Sequence, residues 1–223
     1  MCGRFALGIP AEQLKLDFGL DDCVDFPIRY NIPPGTDIPV IRLSPEGKRV
    51  VHRLRWGLVP HWSKDPSIGA KLSNARSESV AEKPSFRDAF KRRRCLIPVS
   101  GFYEWKTEGK SKQPYYFSMK SGEPMALGGL WDSWTAPDRT VLRTVCIVTT
   151  AANDLMAPIH ERMPVIISPT YYQDWLAAPV DRIKGLLEPY SASEMHAWPV
   201  SRRVSRTAEE GVELLEVLVT EVG

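Results

Sequence analysis

The feature that most constrains this chain is the way its prolines divide its apolar runs. Nineteen prolines are spread through 223 residues, and the apolar stretches between them are short. Proline removes a backbone donor and fixes φ, so it belongs at strand starts, edges and turns. Such a chain builds many short strands. Residues 38–43 and 50–56 read as strands around the turn Ser44-Pro45-Glu46-Gly47. Residues 94–99 and 102–106 read as strands. Residues 115–119 and 125–131 read as another pair, turning at Ser121-Gly122, and 141–149 as a strongly buried strand. Helical signals are peripheral. Pro10 opens a helix carrying Leu14, Leu16 and Phe18, and 77–93 reads as helix interrupted at Pro84. Ser168-Pro169 caps a helix carrying Tyr172 and Trp175, and a second follows over 181–187. Strands cluster centrally without regular strand–helix alternation. The expected class is α+β, with a curved, barrel-like, mostly antiparallel β-sheet core and peripheral helices.

Composition narrows the function. A net charge of +2 gives a weak global field, so any nucleic-acid surface must be a local patch. No apolar run reaches membrane-spanning length, and no charged start leads into an apolar stretch as in a secretory signal. Cys2, Cys23, Cys95 and Cys146 lie far apart with no C-x-x-C pair, so no metal site is expected. Cys95 and Cys146 sit in apolar runs and read as buried strand residues. A reduced, cytoplasmic protein is the expectation.

Cys2 stands out among the polar groups. Removal of Met1 would leave a chain starting with cysteine, with a primary amine and a thiol on one residue. An α-amine has a pKa of roughly 7.7–8.0 against about 10.4 for lysine, so a useful fraction is neutral near pH 7. It can condense with an aldehyde, and the thiol can close a five-membered thiazolidine. The structural alternative is an incidental small residue after Met1. Asn74-Ala75-Arg76 reads as a loop opening a helix, with Asn74 either a cap or a polar site residue. Glu104 is flanked by aromatics in Gly101-Phe102-Tyr103-Glu104-Trp105. It is either a buried proton carrier or the solvent-facing member of an alternating strand. His160, in His160-Glu161-Arg162-Met163-Pro164, is either structural or a proton carrier near pH 7. His61-Trp62 after Pro60 suits base stacking or core packing, whereas His52 and His196 read as packing residues. The clusters 91–94 and Arg202, Arg203 and Arg206 read as solvated charge. Arg4, Arg76 and Arg162 lie inside the motifs and suit phosphate.

Together these blocks resemble the SRAP family, the SOS-response-associated peptidases or abasic-site processing proteins. The resemblance runs through Met1-Cys2-Gly3-Arg4-Phe5, Arg29-Tyr30-Asn31 with Pro34, 56–62, and Asn74-Ala75-Arg76 with Glu78. It continues through Arg93-Arg94-Cys95 with Pro98, 101–106, Gly129-Leu130-Trp131, Thr149-Thr150, 159–164 and Pro199-Val200-Ser201. It implies one domain over 1–223. It also implies single-stranded DNA containing abasic sites as partner and a nucleoid-associated protein when on DNA; an aldehyde substrate requires no cofactor, and a monomer is the default expectation. The implied reaction is a covalent crosslink with Cys2 as nucleophile. Asn74 would hold the sugar, Glu104 would shuttle protons and help reversal, and His160 would assist ring opening or Schiff-base chemistry. Arg4, Arg76 and Arg162 would lie at flanking phosphates, and Pro34 and Trp62 would wedge or stack near the lesion. The family name implies a peptidase, whose act would be removal of its own Met1; a methionine aminopeptidase could equally remove it, since Cys2 is small. Three positions depart from the family's pattern: Ser205 stands where many relatives carry an asparagine, Pro84 where some bacterial relatives carry an arginine, and His61 where some relatives have a tryptophan.

Two other readings use the same residues. A cysteine-dependent peptidase acting on other proteins would need a Cys2 thiolate with His160 and either Asn74 or Glu104. A non-covalent binder of single-stranded or modified DNA would need neither the amine nor the thiol.

Overall fold

The computed structural model describes residues 2–22 and 25–218; Met1 and Cys23 lie outside them. In chain order the strands and helices begin with β1 (Phe5–Leu7), α1 (Ala11–Phe18), β2 (Arg29–Ile32), β3 (Asp37–Leu43), β4 (Arg49–Trp56) and β5 (Asn74–Arg76). Then come α2 (Arg87–Arg92), β6 (Arg94–Val99), β7 (Gly101–Glu108), β8 (Ser111–Met119), β9 (Met125–Thr135) and β10 (Val141–Ala151). The chain continues with β11 (Arg162–Pro164), β12 (Ile166–Ile167), α3 (Tyr172–Ala177), α4 (Val180–Ile183) and β13 (Met195–Pro199).

The strands form two sheets. One runs β13-β8-β7-β1-β2 and is antiparallel throughout. The other runs β10-β4-β3-β6-β9 and closes because β9 also pairs with β10. The result is a five-stranded barrel, with β5, β11 and β12 added outside the ring. Only β10–β4 and β10–β5 are parallel among the described pairs. Closure removes the exposed edges of an open sheet. The barrel core explains the apolar runs: β6 is buried along its whole length, and Val145, Cys146, Ile147 and Val148 are fully buried. The α+β, barrel-like class read from the sequence is the observed one.

The differences have physical causes. Asn74-Ala75-Arg76 is a strand, not the start of a helix. β4 leaves the edge of β10 at Trp56, and β5 resumes parallel pairing with the same strand at Ile147, which satisfies backbone groups that β4 leaves open. Residues 77–93 are mostly turns, and only Arg87–Arg92 is α-helical, since Pro84 offers no backbone donor. In α1, Leu14 and Phe18 are buried but Leu16 is exposed. Ser168 makes no side-chain cap, and 181–187 splits between α4 and a 3₁₀ turn, Lys184–Leu187.

A smaller cluster, including Tyr103, Tyr116, Val200, Val204 and Leu214, lies on the other face of the antiparallel sheet. The C-terminal segment covers that face. Trp105 Nε1 donates to Ser205 Oγ (3.0 Å), and Trp198 Nε1 donates to the Leu215 carbonyl (2.7 Å).

Candidate active site at the N-terminal strand

β1 places Cys2. Phe5 pairs with Phe102 of β7, and Tyr103 N donates to the Arg4 carbonyl (2.9 Å). Antiparallel register therefore carries Gly3 and Cys2 alongside Glu104 and Trp105. Cys2 is fully buried, and its carbonyl accepts a hydrogen bond from Asn74 Nδ2 (2.9 Å). Asn74 Oδ1 is buried without a hydrogen-bond partner among the described residues. Burial pushes the Cys2 thiol well above its ordinary pKa, and the Glu104 carboxylate pushes it further.

Glu104 is 3% exposed. Alternation along β7 puts it on the face of Phe102, towards the main core, while Tyr103 faces the smaller cluster. The solvent-facing reading is thus corrected: both faces of β7 are covered, one by the barrel and the other by the C-terminal segment.

The end of β10 gathers three more groups. It is flanked by β5, where Thr149 pairs with Arg76, and by β11, where Thr149 pairs with Pro164. Asn74 and Arg76 share one face of β5, opposite buried Ala75, and Arg76 is exposed. Arg162, the first residue of β11, reaches across β10. It pairs with both oxygens of Glu78, Nη2 to Oε2 at 2.9 Å, and donates to the Thr149 carbonyl (2.6 Å). This clamp holds the Glu78 carboxyl below the usual carboxylate range. His160 is half-buried, and its Nδ1 accepts the backbone N–H of Arg162 (3.0 Å).

Arg4 points inward. It is 9% exposed, and its Nη1 donates to Asn31 Oδ1 (2.6 Å) and to the Val204 carbonyl (2.8 Å). Pro34 is exposed between β2 and β3. Trp62 is 50% exposed on the excursion of 57–73 that separates β4 from β5. A groove of about 550 Å³ lies between Pro34, Trp56, Gly57 and the turn around Gly69. It joins the Pro34 loop to the base of that excursion. The Gly69 carbonyl lies 2.7 Å from where a Gly57 Cβ would sit, and Gly57 has φ +132°, so both space and conformation require glycine there.

Sequence reasoning missed Asp132. It is nearly buried, accepts from His61 N (3.0 Å) and from Arg93 Nη2 (3.3 Å), and lies 3.1 Å from His61 Nδ1. A carboxylate in the middle of the apolar run of β9 was the available signal. The Glu78–Arg162 clamp was also missed, since 84 residues separate its partners. Among the described residues no group of three His, Cys, Asp or Glu is placed to hold a metal ion, and no helix is long and apolar enough to cross a membrane.

The abasic site processing protein YoqW of Bacillus subtilis is 39% identical over 97% of this chain and 99% of its own length. The abasic site processing protein YedK of Escherichia coli is 30% identical over 97% of this chain and 99% of its own length. The abasic site processing protein HMCES of Gallus gallus is 29% identical over 96% of this chain and 77% of its own length. A crystal structure of a protein from Bacteroides thetaiotaomicron superposes with a TM-score of 0.88 at 25% identity, covering 98% of this chain and 100% of that one. A Bordetella bronchiseptica protein gives 0.79 at 27% identity, over 90% and 100%. The family described as SOS response associated peptidase matches residues 1–207, and with that match, these relatives and the shared fold, the chain belongs to the SRAP family.

Proposed function

We propose that this chain processes abasic sites in DNA, and that it does so by crosslinking covalently to single-stranded DNA through Cys2 once Met1 is removed. The observation that carries the reading is the setting of Cys2: buried, fixed through its carbonyl by Asn74, and beside the Glu104 carboxylate. Its relatives named as abasic site processing proteins support the substrate class.

The free amine of Cys2 adds to the C1′ aldehyde of the ring-opened sugar, forming a C–N bond and a carbinolamine. Protonation of the hydroxyl expels water and leaves an imine. The thiol then adds across the C=N bond: sulfur bonds to C1′, its proton goes to nitrogen, and a thiazolidine closes. Glu104 and His160 serve as the acid and base of these transfers, and Asn74 orients the residue. An abasic nucleotide has no base to unstack, which lowers the cost of bringing C1′ inside. Exposed Arg76 is the direct phosphate contact. Arg4 and Arg162 reach a phosphate only by giving up their present partners. Pro34 and exposed Trp62 offer apolar faces to neighbouring nucleotides.

The relatives named as abasic site processing proteins favour this reading over a peptidase acting on other proteins. In the proposed reaction the amine attacks first and the neutral thiol follows. Self-removal of Met1 belongs to the proposal, as the family's name suggests.

Intact mass measured before and after incubation with abasic single-stranded DNA tests the whole reading. The expected result is loss of Met1 from the purified chain and an adduct of one DNA strand, absent in Cys2→Ala and in a Met1-retaining form. An adduct of undiminished yield in Cys2→Ala would overturn it.

A further inference from the structure

We propose that Glu78 is a positioning residue that fixes the ring of His160 through Arg162; its consequence for the covalent step rests on the abasic-site reading above. The argument follows the hydrogen bonds. Both Glu78 oxygens pair with the Arg162 guanidinium, a fork-to-fork geometry that fixes direction as well as distance. Nη2 of the same guanidinium donates to the Thr149 carbonyl (2.6 Å), which also accepts from Ser77 N (2.8 Å). The Arg162 side chain, only 11% exposed, is thereby tied to the turn after β5 and to β10 from its place at the start of β11.

His160 Nδ1 faces the main chain of that anchored residue, 3.0 Å from its N–H and 3.2 Å from its carbonyl. An amide N–H can only donate. In the neutral ring Nδ1 therefore accepts and the proton sits on Nε2. Glu78 selects this tautomer by holding in place the backbone that reads it. Without the carboxylate, the guanidinium loses two of its bonds, and the first residue of β11 keeps its ladder pairing with Ala151 but loses the side-chain anchor that reaches across β10.

The Glu78 side chain is 56% exposed, so the carboxylate itself packs little, and Glu78→Gln, which keeps a hydrogen bond to the nearly buried Arg162, limits the cost to stability. Its removal therefore tests position more than folding. It also predicts effects of opposite sign. Releasing Arg162 and deleting one negative charge should strengthen non-covalent binding to single-stranded DNA a fewfold at low salt and steepen its salt dependence. The misplaced imidazole should slow the covalent step roughly tenfold to a hundredfold.

The experiment compares wild type, Glu78→Ala and Glu78→Gln by ¹⁵N NMR of histidine-labelled protein without DNA, and by crosslinking rate at saturating abasic DNA. The expected wild-type signature for His160 is an unprotonated Nδ1 and a protonated Nε2. It should become a mixture of tautomers in Glu78→Ala, with partial recovery in Glu78→Gln, which keeps a hydrogen bond to Arg162. If Glu78→Ala fails to fold, the same comparison is made with Glu78→Gln alone. Ring-nitrogen shifts unchanged from wild type in the variant would overturn the proposal. If wild type forms no crosslink at all, the abasic-site reading fails, while the tautomer comparison still decides the role of Glu78.

Discussion

At the scale of single residues, burial decides what a polar group can do. Glu104 could be read from sequence as a proton carrier or as a solvent-facing carboxylate, and alternation alone could not separate these. The C-terminal segment covers the second face of β7, a fact no local pattern contains. Arg4 shows the same limit. It reads as a cation available to phosphate, yet the Val204 carbonyl, 200 residues away, holds it. Cys2 and Asn74, by contrast, could be picked out as candidates from the sequence, because the chemistry proposed for them is carried by type and position. In the proposed reaction the Glu104 carboxyl, beside the Cys2 thiol, gives and takes protons during imine formation and reversal. A glutamine keeps the volume and a hydrogen-bond acceptor but cannot exchange protons at that point. Glu104→Gln should leave affinity for abasic single-stranded DNA within about twofold of wild type. Crosslink formation or reversal should slow by roughly a hundredfold or more. Time courses in both directions check this, and wild-type rates in each would remove Glu104 from the reaction.

At the scale of elements, the long strands were legible and the short ones were not. β3, β4 and β6 through β10 carry enough apolar residues to announce themselves. β1, β5, β11 and β12 have three residues or fewer, too short for any period, and exist because a partner strand offers open backbone groups. The candidate site draws Asn74 and Arg76 from β5 and Arg162 from β11, so part of its assembly was hidden even where its residues were named. What holds β1 and β2 under the C-terminal segment is Asn31, which is fully buried. It accepts from Arg4 (2.6 Å) and donates to the carbonyls of Arg206 (2.9 Å) and Glu209 (2.8 Å). Asn31→Ala removes all three bonds and leaves a buried guanidinium short of an acceptor. The expected cost is about 3.5–5 kcal/mol, from two ordinary bonds at ~1 kcal/mol each and one to a charged group at about 1.5–3. The urea midpoint should fall accordingly. Native-state proteolysis should shift to 202–215, since that segment loses its anchors to β2. Because Cys2 leads into β1 through Arg4, crosslinking should also slow. A variant with unchanged midpoint and protease pattern would show that the packing of Val204 and Leu214 suffices to hold the segment.

At the scale of the whole molecule, the buried acids of this chain are mostly weak ones. Burial raises the thiols of Cys2, Cys95 and Cys146, and the phenols of Tyr103, Tyr116 and Tyr172. Tyr190 is pushed up to about 12 by burial and by its bond to Glu194. A raised native pKa means that the folded state keeps its proton where the unfolded chain loses it. Stability from these groups is therefore complete below the unfolded values, about 8.5 for a thiol and about 10 for a phenol. Above those values the unfolded chain binds fewer protons, and stability falls as pH rises towards the native pKa. Each fully buried thiol can contribute up to about 1.4 kcal/mol per pH unit once the unfolded thiol is ionised. With three such thiols the chain should be far more sensitive to alkali than its near-neutral net charge suggests. The urea midpoint should hold steady from pH 7 to 8 and then drop steeply by pH 9.5, before the phenols join. Cys146 is fully buried in the middle of β10, where valine is a close substitute in volume. Cys146→Val should therefore show a shallower drop between pH 8 and 9.5 than wild type, whatever its stability at neutral pH. Equal slopes for the two proteins would mean that the unfolded thiols do not drive the transition, and that repulsion among other groups does.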